Sequence, residues 1–138
     1  MLAAQLASAA QEEGMTFYLQ LIRGTDDDAP PTPQARLVGP KLGRRLQMFR
    51  WKNYWEIKRQ TVHIKVGAKT RQRMTPNREV EIALTTPHDM TVCIFTDGHL
   101  SRKRTQAALA AFYIAGGDDA AAQPWFIVVR RDMPQPSD

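Results

Sequence analysis

The chain of 138 residues holds one cysteine, Cys93, so no internal disulfide can form. That favours a reducing compartment, the cytoplasm or an organelle matrix. No apolar run approaches the roughly 20 residues that span a bilayer. The first cation is Arg23, and Glu12 and Glu13 precede it, which is wrong for a secretory leader or an Arg-rich transit peptide. Metal and phosphate signatures are missing too. There is no C-x-x-C, H-x-x-x-H or H-E-x-x-H spacing, no G-x-G-x-x-G and no P-loop. No metal site and no cofactor is expected. Asp97 and His99 flank a glycine, but no Ser or Cys nucleophile lies near them in sequence, and no catalytic role is expected. Cys93, between Val92 and Ile94, reads as a buried inert thiol.

The scarcest thing in the middle of the chain is negative charge. Residues 1–40 carry a net −3, residues 41–104 carry +10, and residues 105–138 carry −2. Between Lys41 and Arg73 there are 11 Lys and Arg and a single acid, Glu56. Faces built only for solubility intersperse both signs. A cationic middle between acidic ends gives a directional field suited to a polyanion.

Periodicity supplies the elements. Met1–Gln11 reads as a helix ended near Gly14. Met15–Ile22 alternates as a strand, and Thr25–Pro40, with its Asp and Pro residues, reads as a flexible loop. Strands are expected at Arg44–Trp51 and Tyr54–Ile57, and again at Gln60–Val66 and Arg78–Leu84, these last two joined by a long hairpin loop over Gly67–Asn77. Met90–Thr96 is a further strand, ended by an Asp97-Gly98 turn. Ser101 looks like an N-cap and Gly116-Gly117 like a helix stop, with Leu109, Phe112 and Tyr113 on one side between them. Pro124–Arg130 is the plainest strand. The expected fold class is α+β: a mainly antiparallel sheet, an N-terminal helix, and one helix before the last strand, with a parallel crossover between the last two strands possible in principle. Residues 1–132 would form one domain, with 25–40 a flexible loop and 133–138 a disordered tail.

Three constellations carry the functional expectation. The first is a basic block interleaved with aromatic residues, using Arg44, Arg45, Arg50, Lys52, Lys58, Arg59 and Lys65. Nucleic-acid binders neutralise phosphates with such cations and stack bases on exposed rings. Phe49, Trp51 and Trp55 are better placed in the core, because a domain of this size needs its aromatics inside. The second is Lys69, Arg71 and Arg73, which would share one side of an extended segment. The third is the expected helix start at Ser101, Arg102, Lys103 and Arg104. Cations there oppose the helix dipole, which makes sense if an anion binds at that terminus.

These features lead to a non-catalytic RNA-binding or ribonucleoprotein-associated subunit, with a basic face over 41–73 and 102–104. The segment Arg45–Lys58 resembles, over 14 residues, the basic and aromatic early strands of pleckstrin-homology domains. That resemblance implies a phosphoinositide- or protein-binding module, although in that family the helix comes last. A structural subunit docked in a larger complex through a sheet edge is the third reading.

Overall fold

The computed structural model describes residues 14–109, 111–116 and 124–135. Among these, 61% are strand and 5% helix, and no helix reaches seven residues. The strands are β1 (Gly14–Thr25), β2 (Arg36–Leu37), β3 (Asn53–Lys65), β4 (Lys69–Thr75), β5 (Arg78–Leu84), β6 (Asp89–Thr96), β7 (His99–Ala107), β8 (Phe112–Gly116) and β9 (Trp125–Arg130). One short helix, α1 (Pro40–Arg45), precedes β3.

The strands form a five-stranded sheet in the order β2-β3-β1-β9-β8 and a four-stranded sheet in the order β4-β5-β6-β7. Of the described residues, 14–17, 61–109 and 111 belong to one compact unit, and 18–60, 112–116 and 124–135 to a second.

The first unit is a meander whose turns explain it. Asp97 (φ 52°) and Gly98 (φ 80°) both take the left-handed conformation, and Thr96 pairs with His99 across them. That is the two-residue hairpin turn whose twist matches the flanking strands. It directs the chain after Gly98 back along β6. Val80, Ile82, Leu84, Met90, Val92 and Ile94 alternate along β5 and β6 and are all buried. No helix among the described residues is long and apolar enough to cross a membrane.

Several expectations are corrected here. The molecule is mainly antiparallel β, not α+β. The helix expected from Ser101 to Gly116 is β7 and β8. Leu109, Phe112 and Tyr113 imitate helical spacing, but the hairpin turn commits the preceding segment to pairing with β6. The expected loop at Gly67–Asn77 contains β4, which pairs with β5. β6 and β9 lie in different sheets, so no parallel crossover joins them. Tyr54–Ile57 and all but the last residue of Gln60–Val66 are parts of the single strand β3. The helix expected at Met1–Gln11 lies outside the described residues.

The strand expected at Arg44–Trp51 is instead α1 and a turn. Pro40 occupies the first turn, where its missing N–H is no loss. Leu42 and Leu46, four residues apart, are both buried against Ile22, Tyr54, Phe126 and Val128. The loop after α1 is fastened by one hydroxyl. Tyr54 donates to the carbonyls of Leu46 (2.9 Å) and Phe49 and accepts from the Trp51 N–H (3.2 Å). Burial pushes its phenol pKa up. Tyr54→Phe keeps the ring and removes these bonds. It is expected to destabilise the protein by about 1–2 kcal/mol in urea unfolding, since it leaves partly buried carbonyls without their donor.

Candidate anion-binding hollow

Two cations of the first unit, Arg71 and Arg73, are paired with carboxylates of the neighbouring strand. Lys69, Arg71 and Arg73 do share one face, as expected of an extended segment. Their register sets Arg71 opposite Glu81 and Arg73 opposite Glu79. Arg71 pairs with Glu81 at 3.1 Å and lies 3.8 Å over the Phe95 ring, and Arg73 approaches Glu79 at 3.9 Å. Lys69 has no carboxylate partner among the described residues. Lys65 is exposed at the end of β3.

Arg102, Lys103 and Arg104 do not converge on a helix terminus, because no helix starts there. On a strand, successive side chains point to opposite faces. Arg102 and Arg104 sit opposite Ile94 and Val92, and Lys103 opposite Cys93. Ser101 is not an N-cap. It occupies the irregularity between β6 and β7, and its hydroxyl donates to the Ile94 carbonyl at 2.9 Å. In place of an anion site, these cations line the outermost strand of the four-stranded sheet, where charge discourages edge-to-edge pairing. Cys93 is half-buried on the face that carries Glu81 and Lys103, so it is less enclosed than expected.

In the second unit the block from Arg44 to Arg59 divides among different surroundings. Lys52 pairs with Asp28 at 3.0 Å, and Asn53 donates to the Asp27 carbonyl and the Asp28 carboxylate. The Lys52 hydrogen bond, with Asn53, holds the Asp28 carboxyl below the usual carboxylate range. The acidic triplet is thus a latch on the start of β3. Arg59 pairs with Glu56 at 3.1 Å, and Lys58 is half-buried on β3. Arg50 is exposed beside Phe49 and Trp51. Tyr54 and Trp55 are buried, and Phe49 and Trp51 pack on the core, as expected of these aromatics.

Arg44 and Arg45 meet cations from elsewhere in the chain. A hollow of about 450 Å³ is lined by Lys41, Arg44 and Arg45 of α1, by Phe112 and Arg130, and by Asp132. Phe112 of β8, Arg130 of β9 and Tyr18 of β1 lie in one register row. The Arg45 guanidinium stacks 4.1 Å from the Phe112 ring centre, with that of Arg130 at 5.5 Å. Such stacking holds a guanidinium in place while leaving its edge N–H groups available. Arg130 is 4% exposed and makes a two-pronged contact with Asp132, at 3.1 and 2.5 Å. That contact holds the Asp132 carboxyl below its ordinary range, with Arg45 contributing. Lys41, Arg44 and Arg45 have no carboxylate partner among the described residues. The hollow therefore carries four cations against one acid.

Sequence reasoning missed Arg130 and Phe112. The available signal was an arginine ending the apolar run Trp-Phe-Ile-Val-Val, with an acid two residues on. Among the described residues no group of three His, Cys, Asp or Glu could hold a metal ion. No known protein family, curated protein or solved structure matches this chain.

Proposed function

We propose that this chain is a non-catalytic RNA-binding module, and that the hollow lined by Lys41, Arg44, Arg45 and Arg130 is its main phosphate-holding site. One observation carries this reading: among the described residues, four cations converge on a single concavity with one carboxylate. Three cations on a six-residue helix are brought against a nearly buried arginine from another strand. A surface shaped only for solubility would disperse them. Guanidinium groups suit phosphate because their paired N–H donors match its oxygens. The proposed contact is narrower than a face running over 41–73 and 102–104, because Lys52, Arg59, Arg71 and Arg73 already have carboxylate partners.

Binding of fluorescent single-stranded RNA across a salt series tests the reading. Log K is expected to fall with log salt at a slope of about −0.7 per phosphate contacted, giving roughly −3 if the hollow engages four. Absence of binding at low salt overturns the proposal. Co-sedimentation with phosphoinositide vesicles, without RNA binding, would replace it with a lipid-headgroup module.

A further inference from the structure

A second hollow in the same unit has a different chemistry. It measures about 180 Å³ and is lined by Gln20, Glu56, Arg36, Arg59, Pro134 and apolar groups including Leu37 and Val38. Pockets enclosing drug-sized ligands run to roughly 300–1,000 Å³. This one suits a single planar ring system.

Its polar groups are unevenly used. Gln20 is 3% exposed, and its side-chain N–H group donates to Glu56 Oε2, while its own Oε1 is buried with no hydrogen-bond partner among the described residues. Arg59 also addresses Oε2 of Glu56, through Nε and Nη2 at 3.1 Å each. The other carboxylate oxygen of Glu56 has no partner among the described residues. Two acceptors on neighbouring strands are thus left wanting donors. A buried acceptor without a donor is destabilising, so a ligand that supplies N–H groups there is favoured. Arg36 faces Glu56 directly in the β2–β3 ladder and has no ion-pair partner among the described residues. Its guanidinium can donate to an acceptor on the same ligand or stack on its face. Leu37 is 58% exposed, leaving an apolar wall at the rim.

The required ligand is planar, with two adjacent N–H donors beside a carbonyl oxygen. Among the RNA bases only guanine presents that pattern on its pairing edge, through N1–H, the 2-amino group and O6. Adenine and cytosine offer one amino donor, and uracil one N–H between two carbonyls. Single-stranded RNA is commonly read in this way, by hydrogen bonds to exposed pairing edges and by stacking.

We propose that the hollow formed by Gln20, Glu56 and Arg36 selects an unpaired guanine. This rests on the RNA-binding reading above and adds base specificity to it. The Glu56 carboxylate and Gln20 Oε1 accept from N1–H and the 2-amino group, and Arg36 donates to O6.

The test uses the unaltered protein and four short single-stranded RNAs, identical except for one central base: guanine, inosine, adenine or uracil. Guanine is expected to bind at least ten-fold more tightly than adenine or uracil. Inosine, which keeps N1–H and O6 but lacks the 2-amino group, is expected to fall between them. Arg36→Ala, at an exposed position, is expected to lower guanine affinity while leaving uracil affinity unchanged. Equal affinity for all four bases overturns the guanine site while leaving the phosphate contact intact. No binding to any RNA overturns the underlying reading instead. Equal loss for guanine and uracil in Arg36→Ala would make Arg36 a phosphate contact and also sink the base assignment.

Discussion

Reversing two charges in the first hollow, Lys41→Glu with Arg44→Glu, is expected to weaken RNA binding by well over an order of magnitude. A slope of −0.7 per phosphate makes each ionic contact worth about 5-fold at ~0.1 M salt, so losing two removes about 25-fold. Added repulsion increases the effect. The salt slope should flatten by about 1.4 at the same time. Both positions are exposed on α1, so stability should change by no more than about 0.5 kcal/mol. The matched control is Lys69→Glu with Lys103→Glu, on β4 and β7, which reverses two exposed charges on the other unit. Its expected effect is small. If the control loses as much affinity as the hollow variant, the contact lies on the four-stranded sheet. If the hollow variant loses none, the hollow is not the phosphate site.

Phe126→Ala is expected to be the most damaging single core substitution. The side chain is fully buried, with its ring 4.6 Å from Phe49 and 5.7 Å edge-on from Tyr54. Truncating a buried Phe costs about 3–5 kcal/mol through lost transfer energy and the cavity left behind. Domains carry only about 5–15 kcal/mol of total stability. Urea unfolding should show the midpoint falling by a large fraction. This ring also lies under Leu42 and Leu46, so the same variant should loosen α1 and lower RNA affinity. A loss below about 1 kcal/mol would mean that this cluster does not hold α1 in place.

The strands with regular alternation were legible in the sequence. β5 and β6 alternate or concentrate apolar residues within clear turn signals, and β9 is an apolar run ended by a charge. Asp97-Gly98 was legible as a turn because its residue types demand it. The segments that misled are those where local pattern and tertiary pairing conflict. Ser101–Gly116 carries helical spacing and a plausible cap, yet hairpin register decides it. Its three leading cations should themselves have counted against a helix, since they oppose the dipole. The segment Arg44–Trp51 carries strand-favouring aromatics. Its structure is decided by the Leu42–Leu46 pair and by a tyrosine hydroxyl that no periodicity reveals.

The site was half legible for a similar reason. Charge density drew attention to Arg44 and Arg45 as part of a basic block, and the structure places both at a cationic concavity, but composition cannot tell a free cation from a paired one. Arg71 and Glu81 are ten residues apart in sequence and opposite each other in the ladder. Arg130 is more than 80 residues from Arg45, and only the sheet order brings its strand into the hollow.

The grip of Asp132 on Arg130 changes how any titration with electrolyte should be interpreted. The cations that are liberated come from the phosphates, so a contact with Arg130 counts in the salt slope like any other. Its net affinity is smaller, because Asp132 loses its partner when a phosphate takes over the guanidinium. The interface will then bind less tightly than its ionic-strength dependence implies, and the shortfall measures what it costs to unseat Asp132.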